Sequence, residues 1–342
     1  MKMLHLIVLV MVFTGCCCLR SSGQAGTGMK IGDAHQKTLD SLQTSGYPWR
    51  FPLMGAKVAK KGFNLPYSVG AMLNYFAGSQ EVLISDLEVG VNNSELVPFD
   101  FIEFGEVRAD IQTLNARMDL WLLPFLDVYG ILGKVWTKTN VEVTAPVHFN
   151  NTTRFGGYTY GMGVTLAGGY HGIITINDIN FTWTDLDKLS NKVKTLMISP
   201  RIGYNFLFHG KPGQSFAVWI GATGAYINKG TEGEINVSDL TANIPREKID
   251  EIVDETTEWY QQLRPAQQVV VKQIAEKIKD KMDGRLQDMT IHYSLRKDAL
   301  STWTMLAGGQ FQFNPRWQAR VEIGFLGGRK SGLLSANYRW RW

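Results

Sequence analysis

The sequence predicts an all-β chain: a transmembrane antiparallel β-barrel of about 12 strands, with a two-helix insertion in one long loop. Three observations lead there. Runs of strictly alternating apolar and polar residues fill the C-terminal part of the chain and recur upstream. The first 25 residues have the layout of a secretory leader. One segment, 246–283, abandons the alternation for helical spacing.

Composition agrees. The 342 residues are 44% apolar and 19% charged, with a formal net charge of +4. That apolar share is too high for a disordered chain. After the leader no stretch approaches the ~18 apolar residues of a spanning helix, so a helical membrane protein is excluded. Gly 35, Phe 17, Tyr 12 and Trp 10 suit an all-β chain. The positive charge is too small and too dispersed for nucleic acid.

In the leader, Lys2 precedes an apolar run from Leu4 to Phe13. The run is too short to cross a bilayer and suits a secretory h-region. Gly23-Gln24-Ala25 supplies small residues at the cleavage-specifying positions, so cleavage is expected after Ala25, giving a signal peptide of residues 1–25. A lipoprotein signal, Phe13-Thr14-Gly15-Cys16, is the alternative. Cys16, Cys17 and Cys18 all lie in the leader, so cleavage after Ala25 leaves no cysteine for a disulfide.

The period-2 signal is strongest at the C-terminus. Leu334, Ala336, Tyr338, Trp340 and Trp342 share one face of a strand; Ser335, Asn337, Arg339 and Arg341 share the other. Before it, Trp317, Ala319, Val321, Ile323 and Phe325 alternate with Gln318, Arg320 and Glu322. Trp303, Met305, Ala307, Phe311 and Phe313 alternate with Thr302, Thr304, Gln310 and Gln312. Successive strand side chains point to opposite faces, so each run has one greasy and one polar face. A soluble sandwich alternates too, with its aromatics inward. The secretory leader and the aromatic residues at strand ends favour lipid outside.

With Tyr338-Arg339-Trp340-Arg341-Trp342 as its last strand, the chain resembles bacterial outer-membrane β-barrel proteins. Such proteins end in an aromatic residue with alternating apolar positions behind it; Trp342 stands where Phe is usual. The resemblance covers residues 50–342 as architecture. It implies an outer-membrane location, contact with outer-membrane lipid, and an assembly signal in Tyr338, Trp340 and Trp342 that the barrel-assembly machinery reads. It implies no particular activity. Residues 26–49 are expected to form a short N-terminal periplasmic segment or to thread the barrel mouth.

Reading backward, strands are expected near 331–342, 316–326, 302–313, 215–228, 195–208, 172–184, 157–169, 125–138, 105–122, 81–92 and 66–76. A single-chain barrel needs an even number, so a twelfth is expected near 50–58 or 141–148, with ten and fourteen as the other even counts. Periplasmic turns fall at Asn314-Pro315, 209–214, 168–172, Leu123-Pro124 and 77–80. The outer loops are 327–330, 229–301, 185–194, 139–156 and 93–104, and most are longer, as such barrels require.

Inward phases collect a polar wall. Arg201 and Asn205 share one strand, Asp178, Asn180 and Thr182 another, and Arg117 and Asp119 a third. Arg320, Glu322, Arg339 and Arg341 come from the last two strands. Thr159, Gly161, Gly163 and Thr165 are small and face in, which leaves room either for a neighbour's arginines or for a channel. Open, such a wall selects anions; closed, its charges pair.

In 246–283, Ile249, Ile252, Val253, Thr256, Trp259, Tyr260 and Leu263 keep helical spacing, and after Pro265 so do Val271, Ile274, Ile278 and Met282. Two amphipathic helices are expected, with Pro265 in the first turn of the second. They cap the mouth, dip into the lumen, or lie on the membrane with Trp259 and Tyr260 at the headgroups.

Catalytic signals are sparse. The six histidines show no metal-ligand spacing, and no metal, cofactor or catalytic residue is assigned. Gly-x-Ser-x-Gly, Walker and dinucleotide fingerprints are missing from the sequence. His148, with Asn150, Asn151 and Thr152, is the nearest approach to a lipid-modifying site. The leading expectation is a non-enzymatic solute channel gated or capped by the helices. A closed interaction barrel is the second, and a lipid-modifying enzyme the third.

Overall fold

The computed structural model describes residues 40, 47–60, 65–91, 95–146, 148–187, 189–208, 211, 213–228, 230–236, 257–282 and 290–342. The expected leader, most of 26–49 and residues 246–256 lie outside them. The strands are β1 (Val69–Val91), β2 (Val97–Pro98), β3 (Glu103–Leu123), β4 (Leu126–Ala145), β5 (Phe149–Tyr170), β6 (Ile173–Leu186), β7 (Val193–Leu207), β8 (Ser215–Ile227), β9 (Gly230–Asn236), β10 (Thr290–Ala299), β11 (Trp303–Gln312), β12 (Trp317–Phe325) and β13 (Arg329–Trp340). The helices are α1 (Gly55–Ala59), α2 (Glu258–Gln261) and α3 (Pro265–Met282).

Ten strands form a closed antiparallel barrel, and β2, β9 and β10 are additions to it. The seam is β13 against β1, paired continuously from Val69–Trp340 to Gln80–Arg329. Closure leaves the ten-strand ring without an edge strand. β11 lies beside β8, from Trp303–Gly224 to Gln312–Ser215, so the long segment between them leaves the barrel without breaking its wall.

The count of about 12 is corrected to ten. The expected strands 66–76 and 81–92 are one strand, β1. Ala77–Gln80 has a turn-like composition but is paired on both sides, with Gly332–Arg329 of β13 and Gln112–Ala109 of β3. Two complete ladders outweigh the weak local preference of four residues. No twelfth strand forms at the places proposed for it: 55–59 is α1, and 141–145 belongs to β4. The expected outer loop 139–156 is likewise mostly ladder, with β4 and β5 paired from Val143–Phe149 downward. Eleven minus one is even, and both ends of the barrel sequence emerge on the same side.

The wall has unequal height. β1, β3, β4 and β5 have 23, 21, 20 and 22 residues, whereas β11 and β12 have 10 and 9. A tilted spanning strand needs about 9–11 residues. The tall side therefore projects beyond a bilayer at the end opposite the termini. Where β13 stops, β10 replaces it along β1, from Val82–Ala299 to Val91–Ile291. β9 pairs with β10 and reaches the connection after β6 through the Leu189–Gly233 bridge. The projection thus has two hydrogen-bonded parts, β3–β4–β5 and β1–β10–β9, with β1 and β3 parting above the Glu81–Arg108 pair.

The alternation resolves with apolar residues outside. Leu132, Met162, Ile220, Ile323 and Leu334 are each more than half exposed. Asp119, Asp127, Asp178, Arg201 and Glu322 are buried. Trp317, Tyr338, Phe206 and Phe313 ring the end near the termini; Trp136, Tyr158, Tyr160 and Phe325 ring the other. From Trp317 to Phe325 the rise is roughly 20 Å at the usual strand tilt, close to the apolar height of a membrane barrel. Lys134 stands between Trp136 and Tyr158, its ammonium 5.5 Å and 6.0 Å from their rings, turned toward the polar boundary. A soluble sandwich would bury these rows. This one presents them to hydrocarbon.

Candidate functional site: a charge-balanced lumen beneath a helical cap

The lumen receives side chains from the inward phases of nine strands. Arg117 on β3 donates from Nη2 to Asp127 Oδ2 (2.7 Å) and to Thr165 Oγ1 (3.1 Å). Its guanidinium lies 3.3 Å from the Tyr129 ring centroid, and its Nη1 is 3.9 Å from Asp178. Asp178 on β6 accepts from Thr165 and from Arg201 Nη1 (2.7 Å). Arg201 on β7 reaches the other way to Glu322 on β12. Nη2 donates to Oε2 at 3.1 Å; Nε is 2.9 Å from Oε1 but poorly aimed, an ionic contact rather than a hydrogen bond. Trp219 Nε1 donates to the same Oε1 at 3.1 Å.

Two further arginines complete the set. Arg339 on β13 donates to Asp119 Oδ2 (2.7 Å) and, from Nε, to the Tyr67 carbonyl (2.9 Å). Arg320 on β12 donates to Gln310 Oε1 (3.2 Å) and lies 5.4 Å from the Trp219 ring. Four guanidiniums (Arg117, Arg201, Arg320, Arg339) therefore face four carboxylates (Asp119, Asp127, Asp178, Glu322), and the formal charge of these eight groups cancels. Charges withdrawn from water persist when paired and hydrogen-bonded in this way.

Glycines make the room. A Cβ on Gly163 would fall 2.6 Å from both Asn180 Oδ1 and Tyr129 Cε2; one on Gly308 would fall 2.7 Å from Glu322 Cγ. At Gly70 it would meet Asp119 and Arg339. The small inward residues thus admit neighbouring aromatic and charged side chains.

Above the network, β1 carries a bulge at Asp86, with φ 52° and a register shift between Ser85 and Glu88. The extra residue reverses the phase, so Val89 faces inward. Val89 and Ile291 pack with Phe99, Leu263, Val270, Val271 and Ala275, so α3 lies on the inner face of the projecting wall, over the mouth. Trp259 and Tyr260 belong to this cluster, with Trp259 stacked on Phe101 at 6.0 Å. They do not sit at lipid headgroups, which removes the third placement expected for the insertion. α2 is a single turn, and the rest of the expected first helix lies outside the described residues. A polar latch ties α3 down: Gln267 Nε2 donates to the Pro98 carbonyl and Asp100 Oδ1 (both 2.7 Å), and Arg264 Nη2 to both Asp100 oxygens (3.0 Å). The Gln267 hydrogen bond, with the Arg264 charge behind it, holds the Asp100 carboxyl below the usual range.

Arg341 departs from its expected lumen position. It follows the last strand residue, is exposed, and stacks between Trp49 (3.8 Å) and Tyr67 (4.3 Å) at the termini end. These residues line a recess with Tyr47, whose hydroxyl donates to the Phe51 carbonyl and is pushed up to about 12 by burial, against the opposing Arg341 charge. Tyr338 and Trp340 lie on the outer face. Trp342 is exposed beside Phe51. His148 meets Glu142 at 2.9 Å on the exposed rim.

Asp127, Tyr129 and Trp219 were missed as inward residues, whereas Thr165 was read as facing in. Asp127 and Tyr129 alternate along the expected strand 125–138, so their inward phase was available in principle. Which strand faces which across the lumen was not.

No protein-family model matches the chain, and no curated protein matches its sequence. Among solved structures it is similar to the β domain of the Bordetella autotransporter BrkA (7% identity, 80% of this chain and 100% of that one, TM-score 0.37). It is similar to the outer membrane protein OprG from Pseudomonas aeruginosa (9%, 80% and 97%, TM-score 0.36). It is also similar to the translocator domain of the autotransporter NalP from Neisseria meningitidis (9%, 91% and 99%, TM-score 0.33). All three scores lie below 0.5, and none assigns a function to this chain.

Proposed function

We propose that the chain is an integral β-barrel protein of the bacterial outer membrane, closed to bulk solute by the ion-pair network and covered at its outer mouth by α3. The carrying observation is Arg201, 8% exposed and bound at once to Asp178 and Glu322. A guanidinium so engaged offers no free charge to a passing ion. The tall wall and its cap then serve as an outer interaction surface. Outer-membrane lipid covers the aromatic belt, and the barrel-assembly machinery reads Tyr338, Trp340 and Trp342 during insertion. The reading is non-enzymatic.

Planar-bilayer recording tests it. The native chain is expected to give no sustained open-pore current, and Arg201→Ala with Glu322→Ala to raise conductance. Steady porin-like steps from the native chain would overturn the closed reading. One observation favours a second reading, a small-solute channel gated by the cap. The latch at Asp100 is an exposed side-chain contact, so α3 is held at the mouth by bonds that water can replace. Conductance appearing on Asp100→Ala alone would support it.

A further inference from the structure

Every buried carboxylate of the lumen network has a guanidinium partner, yet two inward cations at the mouth have no carboxylate partner among the described residues. Arg329 opens β13 in the same phase as Ser335, Asn337 and Arg339, and is 8% exposed. Its Nε donates to Gln80 Oε1 (3.2 Å), and its Nη2 is buried with no hydrogen-bond partner. Lys297 stands opposite Ile84 on β1, four positions beyond Gln80, which stands opposite Arg329. Arg296 and Asp298 pair with each other at 3.3 Å on the exposed face, so Lys297 between them faces in. Burial pushes its ammonium below the usual range.

The Cα separation implied by this register is about 13 Å, which two long side chains can close over a small ligand. A third donor stands at the matching level of β11, two strands from Arg329. Thr304 is 3% exposed and its hydroxyl has no partner. The nearby carboxylates are committed elsewhere: Glu81 is exposed, Asp298 is bound to Arg296, and Glu322 is held by Arg201 and Trp219. Buried cations without counter-charges are costly, and an oxyanion satisfies guanidinium, ammonium and hydroxyl together.

We propose that Arg329, Lys297 and Thr304 form a binding site for a small oxyanion of the phosphate class, in the mouth between the ion-pair network and the α3 cap. The site goes beyond the closed-barrel reading and does not depend on it.

The test is equilibrium dialysis of inorganic phosphate against the full chain in detergent at low ionic strength. One saturable site per chain is expected. Arg329→Gln should weaken it about tenfold or more, Lys297→Gln should weaken it as well, and Lys330→Gln, at the exposed neighbouring position, should leave it unchanged. No saturable binding to the native chain would overturn the proposal, as would native affinity in a folded Arg329→Gln. Should Arg329→Gln fail to fold, Thr304→Val and Lys297→Gln decide, and native affinity in both overturns it. A native chain that binds phosphate and also conducts freely would defeat the closed-barrel reading while leaving this site standing.

Discussion

Arg201 and Glu322 meet across the lumen from strands 121 positions apart, with Nη2 donating to Oε2 at 3.1 Å and both side chains buried. The pair ties β7 to β12 through the interior rather than through the sheet. Removing Glu322 leaves Arg201 with Asp178 as its remaining carboxylate and takes a charged acceptor from Trp219 Nε1. Glu322→Gln should therefore cost about 1–3 kcal/mol, read as a lower urea midpoint for unfolding of the barrel. A variant as stable as the native chain would show that Arg201 is satisfied without Glu322.

The membrane orientation predicts an asymmetry between faces. Leu132 is 66% exposed in the middle of the apolar belt. Leu132→Lys should cost about 2–4 kcal/mol in lipid, because the ammonium enters hydrocarbon. Lys138 lies two positions beyond Trp136, past the girdle, and Lys138→Leu should change stability little. Equal effects of the two substitutions in a bilayer-refolding titration would contradict the assigned belt.

How much was legible in advance differs between face and partner. Alternation around Trp317–Phe325 fixed which side chains share a face, because the period is two and a slip would invert every residue. It carried no information on what lies across the lumen, so Arg201 was legible as inward but its bond to Glu322 was not. The strand count failed at Ala77–Gln80, where local composition suggests a turn and two flanking ladders impose a strand. The bulge at Asp86, which turns Val89 toward the cap, follows from a register shift that only the pairing with β10 reveals.

Gly308 tests whether the lumen is packed or merely crowded. A Cβ there would lie 2.7 Å from the Val321 carbonyl oxygen and from Glu322 Cγ, and 2.9 Å from Trp219 Nε1. The backbone oxygen cannot swing away as a side-chain tip can. Gly308→Val should destabilise by about 1–3 kcal/mol and perturb the Trp219 emission. Gly332, with open space around its Cβ position, is the control: Gly332→Ala should leave folding and fluorescence unchanged.

The latch under α3 predicts a pH response with a defined sign. The Asp100 carboxyl is held below its ordinary range by its hydrogen bond from Gln267 and then by Arg264. A lowered carboxyl favours the docked state fully above its unperturbed value, ~3.9, and loses that contribution as pH falls through and below it. Docking should therefore be constant from neutral pH down to about 5 and weaken below about 4. The difference in emission between the native chain and Trp259→Phe reports it, since Trp259 stacks on Phe101 only when the cap is seated. Asp100→Asn should remove the acid transition and hold docking near the native chain's low-pH level throughout. A transition that survives Asp100→Asn would assign the response to a different group.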